Sequence, residues 1–179
     1  SLHSSRMKDT TLDYPKALSQ CKHPIIRICL TGGPCAGKTT ALATLNQVLT
    51  QLGFKVLQVP EAATMLMKGG AMIQTHKLSL HEAVKFQINV MRSQMALEDT
   101  FIDIATNCDQ KTVIICDRGV MDGSAYTDNN VWQALLDETA WNTIQLRDRK
   151  KQATRCFVMF LPPKAAYVWR QNSLRNRGL

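Results

Sequence analysis

Ile25, Ile26, Ile28, Cys29 and Leu30 form a short apolar run broken only by Arg27, and the glycine cluster TGGPCAG follows it directly. An apolar run of that length set against glycines predicts a buried strand ending in a tight loop. Leu42, Leu45, Val48, Leu49 and Leu52 then recur at helical spacing, which predicts a helix over about residues 38–52 with Gly53 as its left-handed stop. FKVLQV, residues 54–59, predicts a second strand closed by Pro60 and Glu61.

Ser79-Leu80-His81-Glu82 matches the S-x-x-E capping box, in which serine and glutamate satisfy the exposed amides of a helix start. The helix that follows should carry Val84, Ile88, Met91, Met95 and Ile102 on one face and end at Asn107-Cys108. TVIIC, residues 112–116, is the next buried strand and runs into Asp117. Trp132, Leu135, Leu136 and Ile144 predict a single helix over residues 131–146, and CFVMFL, residues 156–161, predicts a fourth strand before Pro162-Pro163. Strands alternating with helices of these lengths imply right-handed crossovers and a mostly parallel sheet covered on both faces, an α/β three-layer sandwich. With only four strands in the pattern, the sandwich is expected to be C-terminally incomplete.

Length and composition narrow the class. A chain of 179 residues with 45% apolar and 20% charged residues has room for one packed domain. No run of eighteen apolar residues occurs, and the first twenty residues lack the apolar centre of a secretory signal, so a cytoplasmic location is expected. The six cysteines contain no CxxC pair, which excludes a zinc or disulfide pattern and predicts buried free thiols.

Charge divides the chain. Residues 1–146 balance 13 Lys+Arg against 13 Asp+Glu, whereas residues 147–179 hold 9 Lys+Arg against Asp148 alone, so the whole +8 excess lies at the end. Three segments follow: an aperiodic, flexible lead-in (1–23), a folded domain (24–147) and a divergent basic segment (148–179). A basic segment attracts phosphates, acidic lipids or RNA, or is simply a solvated tail. Nucleic acid is the least supported of these partners.

The chemistry is concentrated in Gly32-Gly33-Pro34-Cys35-Ala36-Gly37-Lys38-Thr39, which matches GxxxxGK[ST] between a predicted strand and a predicted helix. This is the pattern of a phosphate-binding P-loop. Its glycines let successive amides turn toward a phosphate chain, Lys38 supplies charge to the β- and γ-phosphates, and the Thr39 hydroxyl is placed for Mg²⁺. The positive end of the next helix adds to the attraction. Such a loop needs a second carboxylate for the metal, and VIICD supplies Asp117 at a strand end in the Walker-B arrangement; the alternative is an aspartate capping the next turn. Arg118 beside it suits bidentate contact with phosphate oxygens. Glu61, at the end of the second strand, is placed either to orient or deprotonate a substrate hydroxyl or to cap a helix at Ala62. Arg170, Arg175 and Arg177 are candidates for an arginine-bearing lid by position alone, and His76 and His81 have no partners at ligand spacing.

TGGPCAGKTT, VPEAAT and IICDRG together resemble a P-loop group that joins bacterial nicotinamide-riboside kinase domains with the nucleotide-binding domain of the eukaryotic TRPL translocation defect protein family. The resemblance covers about residues 25–147. It implies a nucleoside-kinase-like fold and, for the eukaryotic branch, GTP binding, phospholipid association and a partner protein in membrane-protein trafficking, peripheral to membranes. It would place the phosphate loop at Gly32 to Thr40, the metal-side carboxylate at Asp117, a kinase-type acid at Glu61, and the acceptor border along DRGVMDGSAY, Asp117 to Tyr126. After Asp148 the chain departs from the group. No NKxD-type base-reading motif is present, and Asp128-Asn129-Asn130 is not a substitute, so GTP and ATP both stand as candidate nucleotides with Mg²⁺. Two functions are therefore expected: a GTP-binding regulator of trafficking or, alternatively, a small-molecule kinase of nucleoside type.

Overall fold

A computed structural model describes residues 23–71, 78–149 and 155–161. The predicted lead-in, His76 and the candidate lid arginines Arg170, Arg175 and Arg177 lie outside these residues. The chain runs β1 (Ile26–Thr31), α1 (Lys38–Gln51), β2 (Lys55–Val59), α2 (Ala62–Lys68), α3 (Leu80–Thr106), β3 (Thr112–Asp117), a 3-10 turn (Val120–Ala125), α4 (Asn129–Thr139), α5 (Thr143–Asp148) and β4 (Arg155–Phe160).

The strands pair in the order β2-β3-β1-β4, all parallel. The chain leaves β1 toward one edge and β3 toward the other, so the loops after these neighbours diverge. In an open parallel sheet this opens a crevice at the strand ends, where ligands bind. Leu30 and Asp117 are register partners at that point, and the glycine loop and the DRG segment both start there.

Two helices make the outer layers. Leu30, Val113 and Ile115 pack against Ala41, Leu42, Leu45 and Leu49 of α1. On the opposite face Ile25, Val59, Ile114 and Cys116 pack against Ile102 and Ala105 of α3. Residues 112–116 of β3 are all buried, because a central parallel strand is covered on both sides. At the other end of α3, Val84, Ile88 and Met91 form a cluster with Val120, Val131, Leu135 and Leu146.

The capping box closes as expected: Ser79 Oγ accepts from the Glu82 amide, and the Ser79 amide donates to Glu82 Oε2 at 2.9 Å. Gly53, at φ 81°, ends α1. Its amide donates to the Thr50 carbonyl and that of Phe54 to Leu49, each at 3.0 Å, which is the Schellman pair.

Several expectations are corrected. The predicted single helix over 131–146 is two helices, because Ala140 takes a left-handed conformation (φ 54°) and Asn142 recaps the chain by accepting from the Ile144 and Gln145 amides. Ile144 is consequently exposed. Val48 and Leu52 are exposed too, since only four residues of α1 reach the sheet. Of the described cysteines, Cys116 is buried and Cys35 is exposed, with Cys29, Cys108 and Cys156 between. On α3 the inward face also carries Gln87, Gln94 and Glu98.

Of these, Glu98 answers Arg27, the one charge in the first apolar run, and Gln94 supports Glu98. Arg27 Nη1 donates to Glu98 Oε2 at 3.0 Å, and both side chains are buried. Arg149 Nη1 stands 3.7 Å from the same carboxylate. Gln94 Nε2 donates to Glu98 Oε1 at 3.3 Å and to the Arg118 carbonyl at 3.2 Å, while its Oε1 accepts from the Ala62 amide. A buried charge needs such partners, since desolvating it alone costs several kcal/mol. This network fixes α3 against the ends of β2 and β3.

Candidate functional site

Gly32 opens the loop at φ 142°, and a Cβ there would lie 2.4 Å from the Leu161 carbonyl oxygen, so the end of β4 passes too close for any side chain. Pro34 and Cys35 project outward, Cys35 at φ 57°, and Ala36 turns back into the protein. Gly37, at φ 87°, leads into Lys38, Thr39 and Thr40 of α1 with no side-chain cap. The positive helix end is thus left to a ligand, the arrangement that suits an anion. Lys38 Nζ donates to the Gly32 and Gly33 carbonyls, both at 2.8 Å.

Asp117 ends β3 beside the loop. Its Oδ1 is buried without a hydrogen-bond partner, which removes the turn-capping alternative for that atom. Burial and the neighbouring Glu61 raise its carboxyl above the usual range, against the pull of Lys38 and Arg118. A hard cation prefers oxygen donors of this kind. With the exposed Thr39 hydroxyl in the first turn of α1, the orphaned carboxylate oxygen fits Mg²⁺.

Glu61 stands before α2, but its side chain does not cap that helix. Instead Oε2 accepts from Thr64 Oγ1 at 2.7 Å and Oε1 meets Arg118 Nε at 2.5 Å. Arg118, expected beside phosphate oxygens, is engaged by protein groups in this arrangement. Its guanidinium pairs with Glu61, donates from Nη1 to the Gly32 carbonyl at 3.3 Å and to Tyr126 Oη at 2.5 Å, and lies 4.5 Å from the Tyr126 ring centroid. Burial opposes the Arg118 charge, but the Tyr126 hydrogen bond and Glu61 outweigh it. Its backbone adopts φ 75°, a strained conformation for a non-glycine residue. His81 lies exposed on α3.

A cavity of about 230 Å³ opens beside the loop, lined by Glu61, Arg118, Asp122, Gln87, Gln94 and Tyr126 over an apolar floor of Met91, Val90 and Val120. Gln87 carried no role in the sequence, and Asp122 and Tyr126 entered only within the acceptor border that the resemblance implies. Asp122 Oδ1 accepts from Thr31 Oγ1 at 2.9 Å, while its Oδ2 and Gln87 Nε2 are buried with no partner. Burial pushes the Asp122 carboxyl up, against hydrogen bonds from Thr31 and the Gly119 backbone. The DRGVMDGSAY segment signals these positions only as a border; that Gln87 faces them depends on how α3 crosses the sheet. Among the described residues no helix is long and apolar enough to cross a membrane.

The structure is similar to the crystal structure of APE1195 (16% identity, TM-score 0.39, covering 86% of this chain and 69% of that one). It is also similar to thymidylate kinase from Candida albicans (14% identity, TM-score 0.45, covering 86% of this chain and 93% of that one). No curated protein matches the sequence. A family model described as AAA domain matches residues 27–179, a stretch that includes the basic segment. With the phosphate-loop geometry and the parallel sheet behind it, this match places the chain in the AAA domain family AAA_28, a family of P-loop NTPase domains that bind nucleotide.

Proposed function

We propose that the protein transfers the γ-phosphoryl group of a Mg²⁺-bound nucleoside triphosphate to a hydroxyl of a small molecule held in the cavity beside the loop. The observation that carries this reading is the shared wall: Arg118 and Tyr126 line the cavity, and both donate to the Gly32 carbonyl of the phosphate loop. A ligand in that cavity would lie next to the end of a bound phosphate chain.

In this reading the loop from Gly32 to Thr40 holds the phosphates, with Lys38 leaving its two carbonyls for the β- and γ-oxygens. Thr39 and Asp117 hold Mg²⁺, which screens phosphate charge when bound. Glu61 orients the acceptor hydroxyl and takes its proton as the oxygen bonds to phosphorus and the bond to the β-phosphate oxygen breaks. Arg118 keeps Glu61 in place rather than acting first on phosphate.

The second reading is the GTP-binding regulator that the nicotinamide-riboside-kinase and TRPL-translocation-defect resemblance implies, cytoplasmic and peripheral to membranes, with a trafficking partner. The basic segment after Leu146, nine cations against one acid, favours it as a complement to acidic phospholipid. There the nucleotide is held with little turnover.

Equilibrium titration with fluorescent GTP and ATP analogues and Mg²⁺, with Lys38→Ala as control, comes first, followed by mass detection of phosphorylated product from a nucleoside panel. Binding that Lys38→Ala weakens, with product, supports transfer. Binding without product, but with nucleotide-dependent attachment to vesicles of acidic phospholipid, supports the regulator. A folded chain that binds neither nucleotide overturns both.

A further inference from the structure

Three donors converge on one loop carbonyl. The Gly32 oxygen accepts from Lys38 Nζ at 2.8 Å, from the Tyr126 hydroxyl at 2.9 Å and from Arg118 Nη1 at 3.3 Å. A carbonyl oxygen has two lone pairs, so one donor is in excess. Lys38 also holds the Gly33 carbonyl, and it is the donor that a phosphate chain would withdraw.

Tyr126 is not placed by burial, since the residue is 51% exposed. It is placed by Arg118, which lies against its ring face and donates to its hydroxyl oxygen at 2.5 Å. Arg118 is itself held on every side. Its amide donates to the Leu30 carbonyl at 3.0 Å, its carbonyl accepts from Gln94, and its Nε meets Glu61. A chain of contacts therefore runs from Glu61 in the cavity wall through Arg118 and Tyr126 to the first carbonyl of the loop.

We infer that the Tyr126 hydroxyl is a positioning group for the phosphate loop, keeping the Gly32 carbonyl hydrogen-bonded when Lys38 turns to the phosphates and so stabilising the nucleotide-bound loop. The inference rests on nucleotide binding as proposed above. Without the hydroxyl, the free loop still has Lys38 and Arg118 on that carbonyl. The bound loop keeps only the longer Arg118 contact. The loss therefore falls on the bound state and is read as affinity. The same chain makes the cavity wall part of the loop's support, so the two sites are linked through one tyrosine.

Tyr126→Phe keeps the ring over Arg118 and removes only the hydroxyl. In the full chain it should weaken binding of fluorescent Mg²⁺-nucleotide about three- to tenfold, the worth of one neutral hydrogen bond. The thermal midpoint of the nucleotide-free variant should match that of the wild type. Unchanged nucleotide affinity overturns the inference, and so does a lowered midpoint of the free variant, which would make the hydroxyl merely structural. Wild-type protein that binds no nucleotide overturns the functional reading itself, before any variant is compared. Tyr126→Leu, which also uncovers Arg118, should weaken nucleotide binding further than Tyr126→Phe, and equal affinity of the two variants with wild type again overturns the role.

Discussion

Arg118 Nε and Glu61 Oε1 meet at 2.5 Å, joining the ends of β2 and β3 across the mouth of the cavity. The pair holds Glu61 in place while Arg118 Nη1 donates to the Gly32 carbonyl and to Tyr126 Oη. Glu61→Gln keeps the shape and removes the base. Product formation should fall about a hundredfold or more, far beyond any loss of nucleotide affinity passed on through Arg118 and Tyr126, measured by steady-state rates beside a binding titration. A fall in product formation no larger than the loss of nucleotide affinity would instead make Glu61 a support of the loop alone.

Cys35 is the exposed thiol of the phosphate loop, whereas burial pushes the Cys29 thiol up to about 12 and raises that of buried Cys116 further. A thiol reagent near neutral pH should therefore modify Cys35 ahead of Cys29 and Cys116, since the thiolate is the reactive form. Mg²⁺-nucleotide at about ten times its Kd should slow the reaction at Cys35 about tenfold, by competition for one site. Peptide mass mapping over time reads both. Modification of Cys35 at one rate with and without nucleotide would place the ligand elsewhere.

Arg27 and Glu98 form a pair in which burial pushes the Glu98 carboxyl up against the pull of Arg27 and Gln94. Arg27→Met strands that carboxylate and should cost about 3 kcal/mol in urea unfolding, because removing one partner leaves a buried charge. Arg27→Met with Glu98→Met should recover most of it. A single variant as stable as wild type would show that Arg149 suffices to hold Glu98.

The capping box gives a pH dependence with a definite sign. Hydrogen bonds from the Ser79 hydroxyl and amide hold the Glu82 carboxyl below its ordinary value of 4.5. Its folded pKa is depressed, so its contribution is present above 4.5 and is lost as pH falls through the lower folded value. Thermal midpoints followed from about pH 6 to about pH 3 should show this leg in the wild type and a flatter one in Glu82→Gln. Identical slopes would remove the box from the stability of α3.

The elements were legible where a local rule controls them. VIIC, residues 113–116, is apolar throughout because β3 lies between two covered faces, and Ser79 and Glu82 act across one helical turn. The helix break at Ala140 was not legible, since no glycine or proline marks it and an alanine takes the left-handed position. Nor was the inward face of Arg27, whose charge is answered by Glu98, 71 positions away in the chain.

The phosphate loop, the four strands, the helices α1 and α3, and the place of Asp117 at the end of its strand follow from the sequence alone, because each depends on backbone conformation and on spacing within one element. The tertiary structure decided the rest of the site. Only the β2-β3-β1-β4 order brings Glu61, Asp117 and Gly32 to one edge, and only the crossing of α3 turns Gln87 and Gln94 toward Asp122 and Arg118. What Arg118 does is a question of which acceptors lie within reach of its guanidinium. Glu61, Gly32 and Tyr126 come from three separate parts of the chain, so the answer appears only when the sheet has assembled them.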